Sequence, residues 1–340
     1  MHRKAFINRS VLALMATITG RKALFSQQES TQKNHKPMEF EVAIIGGAAA
    51  GLSAAMALGR STRKTIVIDS GSPRNKPAPH AHNIFTRDGT PPLELLSIAR
   101  AQLEPYTTVK FKTGKVLSAI PNNNLITLTT DTNETITVRR LILATGLTDV
   151  LPAIKGFPEL WGTKIVHCPY CHGYELKDQP IGILMNGKNA EHITPMVFNL
   201  NKSIHIFTNG KMEFSEQFLK WTNKQKIRIT ETELNELTDV ADGVLVKLKD
   251  GSTHLVTGIY SKGDKYKFHN ELAIQLGCKI SEEGAVQVDD MFNTTVPGVY
   301  AVGDLAHASA HQVIIAAAGG AKAGMACNNS LIMEDYEHAQ

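Results

Sequence analysis

Cysteine is scarce in this chain. Four occur in 340 residues, too few for a scaffold held together by disulfides. An excess of one charge is lacking as well. Lys and Arg total 36 against 32 Asp and Glu, a net charge of +4, and the basic residues are scattered, which excludes a nucleic-acid surface. No long apolar run occurs: "VLALMATIT" near the N-terminus is too short to cross a bilayer as an ordinary helix. Low-complexity tracts and short repeats are absent. One C-x-x-C pair is present, Cys168 and Cys171, and no second pair completes a four-thiolate zinc site. Its flanking residues His167 and His172 adjoin the cysteines, and adjacent residues rarely converge on one ion, so no metal site is expected. What remains is 42% hydrophobic and 20% charged, an ordinary soluble composition long enough for two domains.

The first residues read basic, apolar, polar: "MHRKAFINRS", "VLALMATIT", "SQQESTQKNHK". That is the order of an export signal. "RKAFIN" is similar to a twin-arginine motif with Lys4 in place of the second arginine, and cleavage after Ser26 is conceivable. Periplasmic export is the expectation; Arg21 and Lys22, which oppose translocation, leave a cytoplasmic protein as the alternative. Beyond Pro37, "FEVAIIGGAAAGLSAAMALGR" runs from an apolar strand (Phe40–Ile45) through a glycine turn into a helix, and "KTIVIDSG" is a second strand ending in Asp69. This begins a dinucleotide-binding βαβ unit. Gly46, Ala48 and Gly51 hold the fingerprint positions, with Gly47 between them, where backbone must approach a pyrophosphate at a helix N-terminus. Asp69 stands at the spacing of the ribose-binding carboxylate. A strand and glycine turn recur in "RRLILATGLTD", with Gly146. In "TTVPGVYAVGDLAHASAHQVIIAAAGGAKAG" a strand ends near Gly303 and Asp304, and a helix starts near Gln312. Asp304 can hold sugar hydroxyls, and that helix N-terminus can face an anionic ring.

Taken in order, the fingerprint, "LILATG", the C-x-x-C and "GVYAVGD" resemble the low-molecular-weight thioredoxin reductases of the flavin- and pyridine-nucleotide-linked disulfide oxidoreductases. The resemblance spans about residues 39–335. It implies an α/β fold of two Rossmann-like domains, FAD- and NAD(P)-binding, the second inserted into the first. The expected segments are a leader at 1–37, FAD-binding pieces at 38–150 and 280–340, and an inserted domain at 151–279 carrying the C-x-x-C. It further implies FAD bound through Gly46, Gly47, Ala48, Gly51, Asp69, Gly146, Gly303, Asp304 and Gln312, and a homodimer. The partner would be a small-molecule dithiol or disulfide, or a thioredoxin-like protein.

By itself "HCPYCHGYE" could be a redox dithiol, half of a metal site or a static disulfide. Pro169 suits a first helical position, and a helix N-terminus lowers a thiol pKa. The resemblance assigns Cys171 to the flavin and Cys168 to the substrate. His172 stands where such reductases usually carry an acid, and can exchange a proton near neutral pH. "CPYCHGYE" resembles a branch that includes dithiol oxidases. His167 is read as structural, Tyr170 and Tyr174 as packing, His80 and His82 as loop residues, Cys278 and Cys327 as buried hydrophobes.

The inserted domain departs from the pattern. Where G-x-G-x-x-A is expected, the chain reads Met185-Asn186-Gly187-Lys188-Asn189-Ala190. Met185 replaces the turn glycine, Glu191 adds negative charge, Pro195 should shorten or kink the next helix, and "FTNGKMEF" offers only Lys211 as a cation. Poor NADPH use is therefore expected, with a dithiol as electron donor. The alternatives are a conventional NADPH-dependent thioredoxin reductase and, in another class, a flavoprotein without catalytic turnover that serves as an interaction module.

Overall fold

The computed structural model describes residues 38–340; the leader and its expected cleavage site lie outside them. Short apolar runs become parallel strands buried along their length. Val42–Ile45 is the centre of a five-stranded sheet ordered Val299–Ala301, Arg140–Leu143, Val42–Ile45, Thr65–Asp69, Val109–Thr113, every neighbour parallel. Because successive side chains alternate faces, Ala43 and Ile45 join one core while Val42 and Ile44 join another on the opposite face. A parallel sheet covered on both sides requires that division. The chain leaves the central strand to one side and returns to the other. The crevice beyond the carboxyl ends of Val42–Ile45 and Arg140–Leu143 is thus the topological switch point, where open α/β sheets bind ligands.

A second five-stranded parallel sheet is ordered Arg228–Thr230, Ile204–Phe207, Ile181–Leu184, Gly258–Ser261, Ile165–Val166. Between strands of each sheet the chain makes an antiparallel three-stranded meander, Val116–Val138 in the first and Leu234–Val256 in the second. The two α/β units are joined by a ribbon in which Leu147–Val150 pairs antiparallel with Lys265–Phe268. Thr145 Oγ1 donates to the His269 carbonyl at 2.6 Å, and His269 N–H donates to the Gly146 carbonyl at 3.0 Å. After the ribbon the chain rejoins the first unit, since Leu272, Ala273, Leu276 and Cys278 lie in its core.

Two helices frame the crevice. Ala49–Arg60 follows the glycine turn, and Val313–His338 closes the chain. They cross in close contact because glycine faces backbone: a Cβ on Gly320 would lie 1.9 Å from the Ala50 carbonyl oxygen. Any side chain there would push the last helix off the first. Two expectations are corrected. The strand before Asp304 ends at Ala301, and Asp304 lies in the 3₁₀ turn Gly303–Ala306. Pro195 sits inside the helix Gly187–Leu200 without ending it: its missing N–H costs one backbone bond, and the buried face through Ala190, Ile193, Thr194 and Val197 holds the remainder together.

Candidate active site

The glycine turn is built from backbone approach. Gly46 has φ +107°, and a Cβ on Gly51 would lie 1.9 Å from the Gly46 carbonyl oxygen, so the helix can start only this close to the strand without side chains. No side chain caps Ala49–Arg60, and no acid stands in its first turn. The first-turn N–H groups are therefore left to an outside acceptor. Asp69 ends its strand with one oxygen 2.5 Å from Arg100 Nη2, and a Cβ on Gly47 would collide with both groups. Across the crevice, Gln312 occupies the N-cap position of the last helix, again with no side-chain cap and no acid in the first turn. Two uncapped helix N-termini, a side-chain-free turn and carboxylates at 69 and 304 fit the pyrophosphate, the sugars and the ring of FAD. The structure thus gathers Gly46, Gly47, Ala48, Gly51, Asp69, Gly146, Gly303, Asp304 and Gln312 onto the loops and helix starts of the first unit.

Asp304 brings a partner that sequence patterns did not suggest. Arg74 grips Asp149 with two bonds of 2.7 Å and Asp304 with one of 2.9 Å. Burial alone would lower the Arg74 pKa, but the two carboxylates raise it above the usual arginine value. Burial would raise Asp149, yet Arg74 holds it below the usual carboxylate range. Arg74 also lies 5.2 Å from the centre of the Tyr266 ring. This lone loop arginine carries no motif, and its partners are 75 and 230 residues away.

The two cysteines are free thiols at a single helical turn, Pro169–His172, Cys168 just before it and Cys171 within it. Cys168 is its N-cap residue, and its carbonyl accepts the N–H groups of Cys171 and His172 at 3.1 and 3.2 Å. Pro169 stands at the first helical position, as expected. The Cys168 pKa is lowered to about 7, chiefly by the Cys171 thiol donating to its sulfur; burial opposes this, and the N–H groups of Cys171 and Tyr170 and the Gln312 side chain add to it. Cys171 is raised for the complementary reason, since it holds the shared proton, and burial adds to that. Sharing of one proton makes Cys168 the thiolate of the reduced pair. Gln312 thus faces the redox turn from the start of the last helix.

Three histidines surround this turn. Burial lowers His172, and although the Cys168 carbonyl faces it, neither ring nitrogen makes a hydrogen bond. His167 stacks on Trp161 at 5.8 Å and is lowered to about 4 by burial and then by the charge of Arg74. A neutral stacked ring agrees with a packing role. His82 Nδ1 is 3.3 Å from Asp88, and its Nε2 is 3.5 Å from Glu175 of the "CHGYE" run. Tyr170 and Tyr174 are exposed, so they do not pack as expected; a single turn is too short to bury both faces. Cys278 and Cys327 are buried.

The second helix N-terminus of the fingerprint type is built differently. Met185 has ordinary backbone and packs into the second core, so the expected strain at that position is absent; the positive φ falls at Gly187, +55°. Asn186 Oδ1 accepts the N–H groups of Gly187 at 2.9 Å and Glu213 at 3.0 Å, while its Nδ2 donates to the Lys211 carbonyl at 2.8 Å. Glu191 accepts the Ser215 N–H at 2.5 Å. The 211–215 segment is thereby tied across the start of Gly187–Leu200, and that helix is capped by its own chain.

Comparison with known proteins agrees with this geometry. Residues 40–321 match the family described as pyridine nucleotide-disulphide oxidoreductase. The thioredoxin reductase sirT of Leptosphaeria maculans is 32% identical over 310 residues, covering 86% of this chain and 94% of that protein. The thioredoxin reductase tcpT of Claviceps purpurea is 33% identical over 273 residues, 77% of this chain and 85% of that one. Among solved structures, an oxidoreductase from Agrobacterium tumefaciens superposes with a TM-score of 0.82 at 35% identity, covering 87% of this chain and 99% of the other.

Proposed function

We propose a flavin-linked dithiol oxidation for this chain, which belongs to the pyridine nucleotide-disulphide oxidoreductase family and is a thioredoxin reductase-like disulfide oxidoreductase. The observation that carries the reading is the pair of free thiols on one helical turn, Cys168 at its N-cap and Cys171 within it, in a chain of this family. FAD, once bound, supplies a two-electron acceptor. The chain's own residues supply the thiol chemistry. A substrate dithiol gives up two electrons and two protons as it closes to a disulfide, and the Cys168–Cys171 disulfide takes them up. A substrate thiolate attacks Cys168, the outer sulfur, forming the mixed disulfide as Cys171 leaves; the second substrate thiol then attacks the substrate sulfur of that bond, closing its own disulfide and releasing Cys168. His172, neutral at pH 7 and without a hydrogen-bond partner, accepts a proton at a ring nitrogen as the pair gives one up. The self-capped helix at Gly187 supports a dithiol rather than NADPH as the donor. The exposed rings of Tyr170 and Tyr174, in the same short segment as Cys168, suit a small apolar dithiol.

Two measurements test this reading. Purified protein should be yellow and should release FAD on denaturation; a colourless protein that FAD cannot reconstitute would sink the proposal. The second compares single-cysteine variants with an aromatic disulfide at pH 7. Cys171→Ser keeps a hydroxyl donor beside Cys168, and should release one equivalent of aromatic thiol at least about tenfold faster than Cys168→Ser, because thiolate fraction sets the rate. Equal rates, or the reverse order, would exchange the two roles.

A further inference from the structure

We propose that Asn83 is a positioning residue, which turns the side-chain amide of Gln312 so that its NH₂ group donates to the Cys168 sulfur. The inference rests on the reading of Cys168 as the nucleophilic thiol. Asn83 Nδ2 donates to Gln312 Oε1 at 2.9 Å, across 229 residues of sequence. The Gln312 side chain caps no backbone group of its own helix, so its amide is free to reach outward, and it faces Cys168.

An amide offers one acceptor and two donors, whereas a thiolate can only accept. With its oxygen occupied by Asn83, Gln312 presents nitrogen to the sulfur. The opposite orientation would aim an oxygen at the thiolate and leave the Asn83 NH₂ facing another donor.

Asn83 is itself held in place. It has φ +60°, a left-handed conformation that asparagine tolerates better than other side chains do. Its N–H donates to Asp88 Oδ1 at 2.6 Å, and the Ile84 N–H donates to the same oxygen at 3.4 Å. His82, next in the chain, lies between Asp88 and Glu175. The loop is therefore closed on itself through Asp88, approaches the segment after the redox turn through His82 and Glu175, and reaches the last helix through Asn83 and Gln312.

The groups that face the thiol pair come from several elements. Cys171 and the Tyr170 N–H belong to the turn itself, Tyr260 to the second sheet and Gln312 to the last helix, while Arg74 faces Cys171. His82 and Glu175 face His172. In this set Gln312 is a neutral donor whose direction depends on a neighbour.

The test is the pH dependence of Cys168 alkylation by iodoacetamide in the reduced FAD-loaded protein, read by mass spectrometry of the Cys168 peptide. Asn83→Gly keeps the left-handed backbone and removes the donor. Asn83→Asp places an acceptor there and turns the Gln312 NH₂ away from sulfur. Gln312→Leu removes the amide. We expect the alkylation midpoint to rise in all three, by about half a pH unit in Asn83→Gly and by more in Asn83→Asp, with a several-fold slower reaction at pH 7. Thermal midpoints measured on the same proteins separate this from a structural role, which would lower them and leave the alkylation profile in place. A low wild-type midpoint that neither Asn83 substitution moves overturns this inference alone. A wild-type midpoint at an ordinary thiol value overturns the nucleophile reading and this inference together.

Discussion

NADPH and NADH should reduce the flavin of this protein at least about a hundredfold less effectively than a suitable small dithiol does. The reason lies in one contrast between two helix starts of the same type. Ala49–Arg60 leaves its first-turn N–H groups without a side-chain partner, whereas Gly187–Leu200 has Asn186 Oδ1 on the Gly187 N–H, and the same oxygen draws in the 213 backbone. A Cβ on Gly187 would already lie 3.8 Å from the Glu213 carboxylate. A pyrophosphate arriving there would have to displace the Asn186 side chain and approach a negative charge. Loss of about two charge-assisted hydrogen bonds, at roughly 1.5–3 kcal/mol each, costs about 3–6 kcal/mol. That corresponds to a factor of about 10²–10⁴ in affinity. An anaerobic titration that follows flavin bleaching with NADPH, NADH and small dithiols in parallel reads this directly. Stoichiometric bleaching by micromolar NADPH would reverse the assignment and favour a conventional NADPH-dependent reductase. Asn186→Gly combined with Glu213→Ala should recover about tenfold of the NADPH response and leave the dithiol response unchanged. No recovery would show that the cap is not what excludes the nucleotide.

The features legible in the sequence were those that are local in the chain. The strand, turn and helix around Gly46–Gly51 lie within some twenty residues, and the backbone collision that demands glycine at 51 involves Gly46, five positions away. Pro169 after Cys168 likewise defines a helical start over a few residues. Long-range polar contacts were not legible. Arg74 meets Asp149 and Asp304, and Asn83 meets Gln312, across 75 to 230 residues; a single polar residue in a loop carries no periodicity that points to its partner. Met185 shows a third case. A turn glycine replaced by methionine should leave a strained backbone, but the positive φ falls at Gly187 and Met185 packs against the core instead. The departure from the motif was real, and its physical consequence was a self-made cap at Asn186 rather than a strained backbone.

Arg74→Met should destabilise the protein by about 3–5 kcal/mol, because it removes the one cation that both carboxylates share and leaves Asp149, only 7% of whose side chain is exposed, as an unpaired charge. At about 2 °C per kcal/mol for a chain of this size, the thermal midpoint at pH 7 should fall by about 6–10 °C. The pH dependence carries the sign. In the wild type the Asp149 pKa is depressed below its unfolded value, mainly through Arg74 working against burial. Its contribution to stability is therefore present above the unfolded carboxylate pKa, about 3.9, and is lost only as pH falls through the depressed folded value. Between pH 7 and pH 5 this group leaves the wild type unchanged. Without Arg74, burial acts alone and raises Asp149 above its unfolded value, so the variant should regain stability as pH falls from 7 towards 5, where the carboxyl can take up a proton. Arg74→Met with Asp149→Asn should recover much of the loss at pH 7, since no buried charge remains at 149. FAD retention gives an independent reading, because Asp304, the carboxylate expected to hold the sugar hydroxyls, is bonded by the same guanidinium; the single variant should release flavin more readily on dilution. A midpoint that falls equally at pH 5 and pH 7 would mean that Arg74 acts through packing against Tyr266 rather than through the charge on Asp149.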